Sequence, residues 1–78
     1  MLRLELVDNT NDKVVYNYFP EGKEEYGIVS VNKNTGNLNV EKIAVNDEYK
    51  RYLFHAMSRI RKSFSENRFS EKETVAWY

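Results

Sequence analysis

Few residues of this sequence have the types and spacing that catalysis needs. His55 is the only histidine among 78 residues and no cysteine is present, so the chain supplies neither a thiolate–imidazole pair nor a second imidazole for a metal. Glu24 and Glu25 are adjacent, and neighbours on a strand point to opposite faces, so these carboxylates cannot share one substrate. We therefore expect no enzymatic activity, no cofactor and no metal ion.

Two further motifs that could bind ions are also better explained as turns. Gly22, Gly27 and Gly36 are too far apart for a loop that holds a phosphate. Residues 8–12 contain the Asp and Asn of a calcium loop, but the central Gly and the terminal bidentate Glu are missing. The glycines are expected to be turn and strand residues, and residues 8–12 a plain loop.

One row of side chains has a spacing that suits binding. On a helix, four residues share the side opposite the apolar stripe: Arg51, His55, Arg59 and Lys62. Such a row can follow a nucleic-acid backbone or an acidic protein. A solvated outer face, with cations toward the C-terminal end of the helix, accounts for the same pattern. Twelve basic residues balance twelve acidic ones, so nucleic acid is the alternative to a protein partner and not the first expectation.

Aromatic residues form the second candidate set. Phe54 lies off the apolar stripe of the helix, so it is either covered by the C-terminal segment or exposed as a contact for another subunit. Trp77 and Tyr78 either pair into the sheet or form an adhesive tail. Three tyrosines could line a sheet face that one helix leaves bare: Tyr16, Tyr18 and Tyr26. We expect a protein partner, and self-association is one form of it.

The elements that position these residues begin with strands. Leu2, Leu4 and Leu6 alternate with polar residues, which is typical of a strand with one buried face. A second strand covers 13–19, with large side chains on both faces, so its faces cannot be assigned. The turn at 20–22 and the β-branched run at 26–31 predict a hairpin.

The fourth predicted strand covers 38–45 and changes phase. Its apolar positions move from Leu38 and Val40 to Ile43 and Val45. A bulge near Glu41 and Lys42 would reconcile the two halves.

From Asn46 the apolar period becomes that of a helix. Asn46 or Asp47 can cap its first turn, and about 20 helical residues follow. The apolar stripe consists of Tyr49, Leu53, Ala56, Ile60 and Phe64, with Met57 and Tyr52 at its margins. Asn67 suits a left-handed C-cap. Residues 73–78 read as a fifth strand, or as a short helical turn, since Ser70 and Glu73 have capping-box spacing.

These elements predict one α+β domain over residues 1–78. Four consecutive strands with short turns favour an antiparallel meander, on one face of which the helix lies. The fifth strand can return beside an earlier one, the N-terminal strand included. No apolar run is long enough to cross a bilayer, so we expect a cytoplasmic protein without a membrane partner.

Several segments together resemble a family of small proteins. They are 26–30 (Tyr-Gly-Ile-Val-Ser), the 33–36 turn (Lys-Asn-Thr-Gly), the helix from Tyr49 to Ile60, and the closing 75–78 (Val-Ala-Trp-Tyr). Over residues 13–78 the chain resembles small uncharacterised proteins of low-GC Gram-positive bacteria. The resemblance implies no activity, ligand or site residue.

Overall fold

The computed structural model describes residues 1–21, 23–45, 47 and 50–76. Within them the elements are, in chain order, β1 (Leu2–Asn9), β2 (Lys13–Pro20), β3 (Gly27–Asn32), β4 (Leu38–Lys42), α1 (Arg51–Glu66) and β5 (Lys72–Val75). The strands form one antiparallel sheet in the order β4-β3-β2-β1-β5, and α1 packs on one of its faces. The predicted α+β fold is confirmed, with β5 beside β1, and the alternative of a helical turn is wrong over 72–75.

The pairing of β1 with β2 decides which face of β2 is buried. Leu4 pairs with Tyr18 and Leu6 with Tyr16, and paired residues lie on the same face of a sheet. Val14, Tyr16 and Tyr18 therefore join the leucines beneath α1, and all three are buried. The core between sheet and helix consists of Leu2, Leu4, Val14, Tyr16, Tyr18, Val29, Val31, Ala44, Leu53, Ala56 and Ile60.

Two strands contain bulges. In β4, Lys42 pairs with Ile28 while Val40 pairs with Val29, so Glu41 is the extra residue and the bulge predicted at 41–42 is confirmed. In β1, a register shift between Leu6 and Asp8 leaves Val7 without a partner in β2. The strand continues past this bulge to Asn9, beyond the point where the polar run at 8–12 predicts a turn.

The helix begins at Arg51 and has 16 residues, fewer than the roughly 20 expected. Of its two expected capping residues, Asn46 lies outside the described residues. Lys50, at the N-cap position, has a positive φ of 56° and makes no side-chain capping bond. The buried Asp47 supplies the cap instead, since its carboxylate accepts hydrogen bonds from the backbone N–H groups of Tyr52 (3.0 Å) and Leu53 (2.8 Å). Asp47 thus satisfies two of the donors that a helix start leaves unpaired, as predicted for this position.

The apolar stripe of α1 is confirmed where the structure describes it. Leu53, Ala56 and Ile60 are buried and Phe64 is half-buried, whereas Tyr49 lies outside the described residues. Asn67 ends the helix in the predicted left-handed conformation, with φ 53° and ψ 45°. Among the described residues no helix has the length and apolarity to span a bilayer.

Candidate interaction surface

Tyr16 does not line an open face. Its side chain is 1% exposed, and its hydroxyl donates a hydrogen bond of 2.6 Å to the carbonyl oxygen of Ser70. Burial raises the pKa of Tyr16 to about 12, with the nearby carboxylate of Glu73 acting in the same direction. The prediction that Tyr16 binds a partner is wrong, because its side chain is buried and its hydroxyl is hydrogen-bonded to the segment before β5.

Tyr18 is also buried, with no exposed fraction. Its ring extends across Gly27 of the neighbouring strand, where a Cβ atom would lie only 2.1 Å from Cε1. The hydroxyl accepts a hydrogen bond from the Ala44 N–H at 2.9 Å and lies 3.5 Å from Oδ2 of Asp47. Burial raises the pKa of Tyr18. The prediction that Tyr18 binds a partner is therefore wrong, because its side chain is buried and its hydroxyl contacts the segment that leads to α1.

The basic row on α1 is not a uniform exposed stripe. Arg59 forms a two-pronged ion pair with Glu73 of β5, with Nε 3.0 Å from Oε2 and Nη2 2.5 Å from Oε1. The hydrogen bonds to Glu73 raise the pKa of Arg59. Arg51 and Lys62 are exposed and His55 is half-buried. The outward role predicted for Arg59 is corrected, because its guanidinium ties the helix to the edge of the sheet.

The exposed aromatics give one contact candidate. Phe54 is 59% exposed, which favours its alternative as a contact residue over the one in which it is covered. Trp77 and Tyr78, the other aromatic candidates, lie outside the described residues.

The open face of the sheet is not apolar. Arg3 lies beside Glu5, with Nε 2.8 Å from Oε2 in an ion pair that lacks hydrogen-bond geometry. The Arg3 guanidinium stacks over Phe19 at 4.4 Å, the Tyr26 ring lies 5.5 Å from Phe19, and the Lys42 ammonium lies 4.3 Å from Tyr26. Cations thus flank the two rings on this face, so it does not offer a continuous apolar surface.

Three exposed aliphatic side chains lie close together along the chain, in β4 and just after it. Val40 is 39% exposed, Ile43 43% and Val45 75%. Val40 lies in β4, which ends at Lys42 and not at the predicted residue 45, and Ile43 and Val45 follow the strand. We call residues 38–45 the β4 edge, because in the described part of the chain β4 pairs with β3 and with no further strand. An edge strand with exposed apolar side chains is a template for another strand.

Backbone hydrogen bonds show which groups of the β4 edge point outward. The Asn32 N–H donates to the Asn37 oxygen at 2.9 Å, so Asn37 directs its backbone groups toward β3. Along an antiparallel ladder, residues that face the neighbouring strand alternate with residues that face away from it. Leu38 and Val40 therefore direct their amides away from β3. β4 ends at Lys42, whose carbonyl oxygen lies against Gly27 of β3. The Ile43 N–H, across the same planar trans peptide, therefore points away from β3.

Sequence reasoning missed the β4 edge as a candidate surface. Its one visible signal was the phase change between Val40 and Ile43, which places apolar residues on both sides of a bulge. That signal predicts the bulge but not the exposure, which depends on β4 being at the end of the sheet order.

Comparison of the chain with family models, with curated proteins and with solved structures finds no match. The resemblance to small proteins of low-GC Gram-positive bacteria stays a prediction. In the described ranges, no group of three or more His, Asp or Glu side chains is placed to hold a metal ion.

Proposed function

We propose that this chain is a non-catalytic interaction protein that binds another polypeptide along its β4 edge. The observation that carries the proposal is the exposure of Val40, Ile43 and Val45 beside outward-facing backbone groups. A strand added there would satisfy those backbone groups and cover the three side chains. Covering the exposed remainder of each side chain contributes a part of the roughly 1.5–3 kcal/mol that burial of a wholly exposed Val or Ile side chain gives.

Nucleic-acid binding by the basic row is the weaker proposal. Arg59 is held by Glu73, so the exposed cations of the row are Arg51 and Lys62. Binding to a short oligonucleotide that weakens on charge reversal at both residues, with a smaller salt slope, would support it.

A photo-reactive phenylalanine analogue at position 45 tests the proposal. Val7 is the matched control, because it is an exposed valine on a bulge of β1, away from the β4 edge. On irradiation in native lysate we expect discrete protein adducts from position 45 and none from position 7, and purified chain then shows whether an adduct is a self-adduct. Equal adduct formation from the two positions, or none from either, would contradict the proposal.

A further inference from the structure

We propose that the β4 edge binds a second copy of this chain, whose own β4 pairs with it antiparallel across a two-fold axis; this inference rests on the proposed function. The observation behind it is chemical symmetry along the edge. The order of residue classes in residues 38–45 is the same in both directions: two charged residues at the centre, an apolar residue on each side of them, then a small or polar residue, then an apolar one. The residues are Leu38, Asn39, Val40, Glu41, Lys42, Ile43, Ala44 and Val45.

Antiparallel pairing about the centre of this segment matches unlike charges and like apolar groups. Glu41 of one copy lies opposite Lys42 of the other, and the symmetry repeats this ion pair. Val40 lies opposite Ile43 of the second copy, again twice. Opposite charges and aliphatic pairs directly across two strands stabilise their pairing.

The backbone fits the same register. The amides of Val40 and Ile43 both point away from β3, as the bond at Asn37 and the Lys42 carbonyl oxygen beside Gly27 show. They can therefore exchange hydrogen bonds with each other across the axis. The bulge at Glu41 lies at the centre of the segment. The bulges of the two copies therefore lie opposite each other, and the pairing on either side of them keeps the same register.

The charged side chains share one face, which the ion pairs require. Glu41 borders an open depression together with Ser30 and Asn39. The Lys42 ammonium lies over the Tyr26 ring on this same open face. Because both side chains emerge on the open face, Glu41 and Lys42 of two copies can meet there.

A bulge and a lysine on an edge strand usually protect it from association. Here the neighbouring charges of Glu41 and Lys42 have opposite signs. They therefore favour one pairing register and do not prevent pairing altogether. A slip that shifts the symmetry centre onto Glu41 or onto Lys42 brings like charges face to face, which is unfavourable.

Charge exchange tests the inference. We expect wild-type chain to dimerise reversibly in sedimentation equilibrium between about 1 µM and about 1 mM. Glu41→Lys and Lys42→Glu should each raise the dimer dissociation constant by about tenfold or more. An equimolar mixture of the two variants should form heterodimers, and the double variant E41K/K42E should recover the homodimer. Asp12→Lys, an exposed change in the β1–β2 turn, should leave the constant unchanged.

The possible failures are distinguishable. A wild-type chain that stays monomeric, while position 45 crosslinks to a different protein, overturns the inference and leaves the proposed function in place. Circular dichroism shows whether Glu41→Lys and Lys42→Glu are folded. If both are folded, lose the dimer and form no heterodimer when mixed, the two-fold register is overturned. Growth into larger oligomers overturns it too, since that result indicates pairing of β4 with β5.

Discussion

Gly27 lies directly opposite Tyr18 in the β2–β3 ladder, and the tyrosine ring fills the space that a side chain at position 27 would take. This arrangement lets the phenol cross β3 and reach the connection that leads to α1. There its hydroxyl meets the Ala44 amide and the carboxylate of Asp47. The missing side chain of one strand residue thus determines how the helix start is attached to the sheet.

Substitution of Gly27 by alanine should destabilise the fold. The added Cβ would lie 2.1 Å from Cε1 of Tyr18 and 2.7 Å from the Lys42 carbonyl oxygen, so ring and backbone must both shift. We expect a loss of about 2 kcal/mol or more in the free energy of unfolding, measured by urea denaturation. In a Tyr18→Leu background the alanine should cost less, and an equal cost in both backgrounds would show that the ring contact does not matter.

Removal of the Asp47 carboxylate should weaken the start of α1. Asp47→Ala leaves the amides of Tyr52 and Leu53 without their acceptors, for which we expect a loss of about 1–2 kcal/mol. Asp12→Ala, at an exposed turn position, should have little effect. Urea denaturation with circular dichroism at helix wavelengths gives both values, and equal stability of the two variants would refute the capping function.

The ion pair between Arg59 and Glu73 should couple the helix to β5. The two side chains are 33% and 15% exposed, so the pair is more sheltered than a surface salt bridge. We expect a double-mutant cycle with Arg59→Met and Glu73→Gln to give a coupling energy of about 1 kcal/mol. Arg59→Lys should keep less than half of it, because lysine cannot make the two-pronged contact. A coupling energy near zero would mean that the pair has no structural function.

Stability should fall at alkaline pH because of the buried tyrosines. The pKa of Tyr16 rises from 10.0 to about 12 by burial, so its neutral form is favoured in the folded state. Its contribution is complete below about pH 10, where the unfolded tyrosine ionises, and is lost as the pH rises toward 12. Denaturation at pH values across this range should show the decline, which Tyr16→Phe should make shallower. A Tyr16→Phe variant with the same pH dependence would contradict the assignment.

Local patterns predicted the elements of this fold better than its surfaces. The alternation of Leu2 and Leu4 predicts β1, and the phase change in β4 predicts the bulge at Glu41, because each pattern reflects neighbouring residues alone. The two faces of β2 carry similar side chains, so only its register with β1 shows that Tyr16 and Tyr18 are buried. Likewise the pairing of Arg59 depends on where β5 returns, 14 residues along the chain.

The exposure of the β4 edge could not be predicted from the sequence for the same reason. Val40 alternates like a buried strand residue, and its exposure follows from the position of β4 at the end of the sheet. Strand order is a property of the whole chain, so no window of sequence around Val40 contains it.

Amide hydrogen exchange, followed by NMR at low and at high protein concentration, tests the pairing of two β4 edges most directly. We expect exchange at Val40 and Ile43 to slow as the concentration rises, since these outward amides then gain acceptors in a second copy. The inward amide of Ala44, already bonded to Tyr18, should exchange at the same rate throughout. Exchange at Val40 and Ile43 that does not change with concentration would show that two β4 edges do not pair.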